Sequence, residues 1–539
     1  ESNPGDQEAL AAYIAALRSA GEVVSLELLK QRRFPPRTVR VLPGWEVSFR
    51  DSDSTDEFQE ASVPEGGGEI ELPAHLTWCV SLDASTTALD QAWEVLAAEE
   101  VRHLNLSGEG LAAFSLKEVG RLSDLEELNL FGAYAWTEGQ LSPLAKLPNL
   151  HSFSSDQKSL SDLGFLPNTL QDLSLQASLS PQDLGTLADR APNLRTLQLC
   201  ARQLAGEGYA LLRRLRCLES LTLEDPDSLT LAKLADLRGL PLKRLAVRGV
   251  LSLPEESLKL ICESFPGLEE LELRETFEDL SPLSRLPLKS LELAKFGGRD
   301  LNQRTVASLP RTLQKLDLTS PLNDLALESL TRLEELREVE LRLAPELEGR
   351  GLLALNRLPS LRAISLSADA LAPGAFESLL EVSQLTELTL SDATDAQVRE
   401  LGRAPLLSRL NVTPRHRTTL SPEALGCLAQ LPLLESLSLT EARIERAFDA
   451  SHGFEHLVDL SIFSSEISRE ALADLARVPR LWFLHFLDCG VLEGAEALTS
   501  LRELGFLGLA GNSSLSDAAI STLRAGLPEG CTLDLGAQS

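Results

Sequence analysis

Leucine recurs along the chain in the short pattern LxxLxL, whose apolar positions alternate like those of a half-buried strand. Clear copies are LEELNL at Leu125 and LESLSL at Leu434. Because successive side chains of a strand point to opposite faces, each copy predicts one buried and one solvent-facing side. About 18 copies start between residues 101 and 504, roughly 24 residues apart. An opening copy at Leu76 and a closing strand near Leu533 extend the series.

A second apolar cluster follows about ten residues after each strand. In residues 141–150, LSPLAKLPNL, leucines are spaced by three residues, which is typical of one face of a helix. The proline of the recurring LPxL segment predicts the end of that helix. One strand and one helix cannot bury both faces alone, so stacked units are predicted to share a continuous leucine core.

The repeat resembles the leucine-rich repeat family over roughly residues 76–539. The resemblance implies an α/β fold, namely a curved right-handed solenoid of about 19–20 repeats with a concave parallel sheet and convex helices. A helix in every repeat and an acidic charge resemble the ribonuclease-inhibitor-like branch. The family often places Asn or Cys eight residues after the first leucine, where it bonds to the backbone of a neighbouring turn. Only Cys489 and Asn512 fit that position well.

The N-terminal segment predicts a small helical domain over residues 1–45. Asp6 can cap a first helix, and Gly21 is a natural helix stop. The segment resembles a bacterial repeat-companion domain, which implies a bacterial source and no activity. The matching residues are Asn3, Pro4, Gly5, Asp6, Tyr13, Gly21, Glu22 and Leu26. Residues 46–75 are rich in acids and are predicted to be an acidic linker or cap.

Charge limits the kinds of partner. The chain has 50 basic and 80 acidic residues, a formal net charge of −30. This balance opposes binding to nucleic acid and to anionic membranes, and it favours a basic protein partner. The sequence has no apolar run of 18 or more residues, so we expect no transmembrane helix, and we do not expect its first residues to act as a signal peptide. The seven cysteines include no CxxC pair, so we expect a reducing, cytoplasmic location.

Four acidic residues fall at the same outward position of consecutive repeats. We call them the acidic stripe: Glu272, Glu292, Asp317 and Glu340. Like charges on neighbouring strands are unfavourable unless something compensates them. Nearby Arg and Lys residues could neutralise the column, or the stripe could receive Lys or Arg side chains from a partner. A divalent-cation site is a third interpretation.

The outward positions of the last strands are apolar instead. We call this group the aromatic patch: Phe463, Trp482, Phe483, His485 and Phe506. An exposed cluster of aromatic residues usually marks an interface. The alternative is that the C-terminal residues 513–539 fold over these rings as a cap.

The sequence contains no nucleophile elbow, P-loop, zincin motif or dinucleotide fingerprint. We therefore expect no catalytic residues, no metal and no cofactor. The predicted function is non-enzymatic protein–protein interaction, with a basic partner bound in the acidic concave groove. The alternatives left open are an inhibitor or immunity protein for a basic enzyme, a self-assembling scaffold, and an enzyme subunit.

Overall fold

The computed structural model describes most of the chain in separate ranges. These are residues 37–51, 59–61, 67–72, 76–83, 89–107, 116–131, 138–156, 163–202, 204, 206–226, 229–249, 253–275, 277–293, 301–344, 347–446, 454–490, 492–512, 515–528 and 531–535. Most of the predicted companion domain lies outside them. The chain divides into two compact units, Glu1–Leu194 and Arg195–Ser539.

The first unit begins with antiparallel strands and continues with parallel ones. Its strands are β1 Arg37–Val41, β2 Trp45–Asp51, β3 Gln59–Ala61, β4 Gly68–Leu72, β5 Leu76–Asp83, β6 His103–Ser107, β7 Glu127–Leu130, β8 Ser152–Ser155 and β9 Asp172–Ser178. β1 pairs with β4, and β2 pairs with both β3 and β5, all antiparallel. From β5 to β9 each strand pairs in parallel with the next. Its α-helices are Leu89–Ala98, Glu138–Leu141 and Pro181–Arg190, with 3-10 helices at Leu116–Arg121, Ser142–Lys146 and Leu163–Phe165.

Residues 46–75, predicted to be an acidic linker or cap, contain β2, β3 and β4, so their described part is not a loop. β1 lies within the segment predicted to be helical, so that prediction is wrong for Arg37–Val41. The many acids of this region hide an alternation of buried and exposed positions. Val39 and Val41 are buried on either side of Arg40, and Trp45 and Val47 are buried on either side of Glu46. Pairing with β5 therefore makes β2 an extension of the sheet.

The second unit repeats one strand and one helical turn. Its strands are β10 Thr196–Cys200, β11 Ser220–Glu224, β12 Arg244–Arg248, β13 Glu270–Leu273, β14 Ser290–Leu293, β15 Lys315–Leu322, β16 Glu338–Leu343, β17 Ala363–Ser367, β18 Glu387–Ala393, β19 Arg409–Pro414, β20 Thr419–Leu420, β21 Ser436–Thr440, β22 Arg443–Ile444, β23 Asp459–Phe463, β24 Glu466–Ile467, β25 Phe483–Leu487, β26 Phe506–Gly508 and β27 Thr532–Asp534. The short strands β20, β22 and β24 form a second parallel sheet. The others pair in parallel in chain order.

The helices of the second unit follow the strands. The α-helices are Gly206–Leu212, Leu231–Asp236, Glu256–Ser264, Gln303–Ala307, Asp324–Leu330, Arg350–Ala354, Pro373–Leu380, Asp395–Glu400, Pro422–Ala429, Arg469–Leu475 and Asp517–Gly526. The 3-10 helices are Ser281–Arg285, Leu355–Arg357, Ala368–Ala370, Leu401–Arg403, Arg415–Arg417 and Ala495–Ser500. Across both units, a polar side chain accepts a backbone N–H bond at many helix starts. These caps are Ser180, Thr230, Asn302, Asn323, Thr394, Ser421, Ser468 and Ser516.

A helix was expected in every repeat, and four repeats have a 3-10 helix in place of an α-helix among their described residues. Those starting at Val101, Leu150, Leu268 and Leu481 carry the 3-10 helices Leu116–Arg121, Leu163–Phe165, Ser281–Arg285 and Ala495–Ser500. A 3-10 helix rises by about 2.0 Å per residue, so it covers a given distance with fewer residues than an α-helix. The repeats from Leu150 and Leu268 are the shortest, at about 20 residues, and there the tighter turn fits the shorter length.

Each predicted LxxLxL copy contains a strand of the parallel sheet, including the opening copy (β5) and the closing one (β27). In the 18 copies that start between residues 101 and 504, the first and last positions of the pattern are buried. In β16, Val339, Leu341 and Leu343 are buried, whereas Glu338, Glu340 and Arg342 are exposed. The predicted alternation is thus confirmed. The fold is α/β with a mostly parallel sheet, consistent with a leucine-rich repeat solenoid.

A ladder of polar side chains joins neighbouring turns near the C-terminus. The Asn512 carbonyl oxygen accepts the Cys489 backbone N–H at 2.7 Å, and its amide donates to the Phe486 carbonyl at 2.8 Å. The expected roles of Cys489 and Asn512 are thus confirmed. Ser465 holds the equivalent position one repeat earlier, and its hydroxyl accepts the Ala442 N–H at 2.9 Å. Because the family often has Asn or Cys at this position, the role of the serine was not predicted from the sequence.

Asn512→Ala should weaken this ladder locally. It leaves the Cys489 N–H without its acceptor, and an unsatisfied buried donor costs about 1–3 kcal/mol. Hydrogen exchange should show faster exchange of the Cys489 amide. Asn193→Ala is the control, because this exposed residue makes only one long bond, 3.4 Å, to the Asn168 carbonyl. Unchanged Cys489 exchange in Asn512→Ala would contradict the ladder.

Candidate interaction face of the sheet

The acidic stripe is a straight column on the solvent-facing side of the sheet. Glu272 lies opposite Glu292, Glu292 opposite Asp317, and Asp317 opposite Glu340. Ala246 and Ser365 are the next residues at the two ends. Adjacent parallel strands lie about 4.8 Å apart, so each carboxylate has its nearest like charge on the next strand. The column predicted from the sequence is present.

Arginines neutralise one end of the column. Arg248 forms two hydrogen bonds to Glu272, with Nε–Oε1 2.6 Å and Nη2–Oε2 2.9 Å. Arg244 approaches the same carboxylate at 3.7 Å. Glu272 is only 9 % exposed, and its hydrogen bond raises the pKa of Arg248. Here the stripe is a satisfied ion-pair lattice.

The other end lacks such compensation. One carboxylate oxygen of Asp317, Oδ1, is buried without a hydrogen-bond partner among the described residues. Lys315 lies on the same strand, but its ammonium pairs with Glu338 at 3.4 Å. Burial, then the charges of Glu340 and Glu292, raise the pKa of Asp317 to about 7. Burial and Glu272 also raise the pKa of Glu292, although Arg274 and Arg248 oppose the shift.

The aromatic patch is a packed cluster of rings on the same side of the sheet. Phe483 and Phe506 are stacked, with ring centroids 4.6 Å apart and planes 6° from parallel. The His485 ring stands edge-on to Phe463, Phe483 and Phe506 at centroid distances of 5.6, 6.1 and 6.1 Å. Burial lowers the pKa of His485, although Asp534 and Asp459 oppose the shift. The imidazole is therefore neutral near pH 7.

Two glycines make room for these rings. A Cβ on Gly508 would lie 2.5 Å from the His485 ring and 2.9 Å from the Phe506 ring. A Cβ on Gly505 would overlap the Trp482 indole. Trp482 itself is 47 % exposed, whereas the three phenylalanines are half-buried. Larger residues at either glycine would displace the rings, so the glycines define the shape of the patch.

The C-terminal residues described by the structure extend the repeats. β27 adds to the sheet beside β26, with Phe506 opposite Thr532. The helix Asp517–Gly526 packs against the 3-10 helix Ala495–Ser500. Within residues 515–528 and 531–535, the alternative of a cap folded over the aromatic patch is thus wrong.

The structure brings eight of the nine predicted site residues onto one side of the sheet, in two separate groups. The ninth, Trp482, directly precedes β25, and its indole lies beside Gly505. In the described part of the chain, no cluster of three or more His, Cys, Asp or Glu residues could hold a metal ion. No described helix is long and apolar enough to cross a membrane. None of the seven cysteines, all of which lie in the described ranges, forms a disulfide.

Comparisons with known proteins find similar folds only. No family model matches the chain, and no curated protein matches it. One similar structure is a leucine-rich repeat protein of Leptospira interrogans, with 20 % identity over 83 % of this chain and 98 % of the other, and a TM-score of 0.31. A TLR13–ssRNA13 complex has 18 % identity over 77 % and 62 %, with a TM-score of 0.38. The Rad7–Elc1 complex of yeast has 16 % identity over 84 % and 88 %, with a TM-score of 0.32.

Asp317→Asn should stabilise the protein at pH 8. The pKa of Asp317 is raised from its ordinary value of 3.8 to about 7 in the folded chain, so folding binds a proton between these pH values. The ionised side chain then costs stability that grows as the pH rises from about 4 to about 7. After a discount for partial exposure, we expect a gain of about 1–2 kcal/mol at pH 8 and almost none at pH 4.

Urea unfolding of the wild-type and variant chains at both pH values measures this difference. Glu335→Gln is the matched control, because it removes a carboxylate from an exposed site shortly before the neighbouring strand and away from Lys315. It should change stability by less than about 0.5 kcal/mol. An equal gain from both variants, or a gain that persists at pH 4, would contradict the burial of an uncompensated charge at Asp317.

Proposed function

We propose that the chain is a protein-interaction module that binds a basic protein on the solvent-facing side of its parallel sheet. The observation that carries the proposal is the aromatic patch. Most other outward positions of the described strands hold polar or charged side chains such as Asn129, Gln198 and Asn411, whereas here three phenylalanines and a histidine form a cluster. Packed aromatic groups are the usual anchors of protein interfaces.

The acidic stripe supplies the second part of the proposed mechanism. The net charge of −30 attracts a basic protein over a distance and raises the rate of encounter. At close range, a partner Lys or Arg near Asp317 would compensate the carboxylate that the chain leaves without an ion pair among its described residues. Since salt screens exposed charges, binding should weaken at high ionic strength.

The same charge opposes binding to nucleic acid, because a phosphate backbone requires basic surface. The proposal includes no catalysis, metal or cofactor. A bacterial source, a companion domain over residues 1–45 and a cytoplasmic location stay predictions. Neither the inhibitor role nor the scaffold role is favoured by a specific contact.

Two double variants should separate the anchoring and electrostatic contributions. Phe463→Ser/Phe483→Ser removes part of the aromatic patch, and Glu292→Lys/Asp317→Lys reverses the charge of the unpaired half of the stripe. In affinity capture from the native host lysate, the first should lose at least about ten-fold of the bound partner at any salt concentration, as expected for hot-spot residues. The second should lose binding most strongly at low salt.

Matched controls lie elsewhere on the second unit. Leu325→Ser changes an exposed apolar residue, and Glu377→Lys/Glu423→Lys reverses two exposed helical charges. Circular dichroism and thermal unfolding would establish that all variants are folded. If the site variants retain the same partner as the controls, the sheet face does not bind it and the proposal is wrong.

A further inference from the structure

The stack of phenylalanine rings covers β25 and β26 and does not continue onto the neighbouring strand β23. One row of outward residues on adjacent strands reads Ser436, Asp459, Phe483 and Phe506 in register. The two rings stand 4.6 Å apart, close to the strand spacing of about 4.8 Å. The spacing of the stacked rings therefore matches the spacing of the strands. On the next strand, β23, the equivalent residue is Asp459, so a short carboxylate takes the place of an aromatic ring.

Small polar side chains also occupy the neighbouring row on these strands. The neighbouring row reads Ser438, Ser461 and His485 in register. We call the low area formed by Ser436, Ser438, Asp459 and Ser461 the serine step. The rings of Phe483 and His485 border it on the side of β25, and Phe463 follows Ser461 on β23. The serine step is therefore a low polar area that is bordered by aromatic rings.

Asp459 is the only acidic residue of the serine step. The Ser436 and Ser461 hydroxyl groups donate to it across long distances, both 3.4 Å. Burial raises its pKa, whereas those two bonds, Arg409 and His485 lower it. Arg409 lies opposite Ser436 and approaches Glu387 at 3.8 Å. In the described part of the chain, Asp459 forms no ion pair within 4.0 Å.

We propose that the serine step binds an arginine side chain of the partner, an inference that rests on the proposed function. The guanidinium group is planar and stacks on aromatic faces, so it can stack beside the Phe483 ring at the position above Asp459, where the row has no aromatic side chain. Its N–H groups can bond Asp459 below it as a charge-assisted pair. A lysine ammonium gains less here, because it is strongly hydrated and cannot stack as a plane.

Peptide titrations test the arginine site without the natural partner. The probes are three peptides, acetyl-Gly-Ser-X-Ser-Gly-amide, in which X is arginine, lysine or the uncharged isostere citrulline. The full chain carries ring-¹³C histidine, which gives one signal for each of its seven histidines. A His485→Gln variant assigns the signal of His485. Spectra are recorded at pH 8, where His485 is neutral.

The arginine peptide should shift the His485 signal and bind about 5-fold more tightly than the lysine peptide and about 10-fold more tightly than the citrulline peptide. Asp459→Asn should remove the preference for arginine over citrulline. Phe483→Leu should remove the preference for arginine over lysine. Glu435→Gln, which changes a nearby exposed acid outside the serine step, should leave both preferences within about two-fold, because salt and water screen an exposed charge.

Equal binding of arginine and citrulline, an unchanged preference in Asp459→Asn, or no shift of His485 with any peptide would overturn the arginine site. These outcomes are distinct from failure of the proposed function. If the double phenylalanine variant still loses the captured partner, the sheet face binds protein through another group. If that variant retains the partner, the proposed function itself is wrong.

Discussion

The in-register pairing of parallel strands determines the rest of this structure. Each repeat places the same LxxLxL positions at the same height, so equivalent residues of adjacent repeats lie about 4.8 Å apart. On the inner side, this spacing stacks leucines into a continuous core. On the outer side, it stacks whatever the sequence supplies at those positions. The acidic stripe, the paired phenylalanines and the hydrogen-bonded ladder of Cys489 and Asn512 all follow from this one constraint.

Stacking has opposite energetic effects on the two outward groups. Phenylalanines gain from it, because rings at the strand spacing are in contact. Carboxylates lose from it, because each one lies opposite one or two others. The chain offsets this cost at Glu272 with two arginines but not at Asp317. Residues that violate local rules without internal compensation are the places where function is expected.

The sequence predicts much of this arrangement because a repeated pattern carries its own register. The strand starts, the alternation of buried and exposed positions and the column of four acids follow from leucine spacing alone. Three features did not follow. The acids of residues 46–75 obscured the alternation that makes β2 a strand, and four repeats carry a 3-10 helix in place of an α-helix. Which half of the acidic stripe is neutralised depends on side-chain direction, since Arg248 reaches Glu272 while Lys315 pairs with Glu338.

The central claim is that the solvent-facing side of the sheet binds a protein. Its most direct test is site-specific photocrosslinking in the native host, with benzoylphenylalanine placed at Leu487 beside the aromatic patch or at Leu325 on the helical surface. Leu487 is half-buried on β25, and Leu325 is 44 % exposed. We predict that the Leu487 position forms a crosslink to a basic protein and that the Leu325 position does not. A partner crosslinked only from Leu325 would contradict the account.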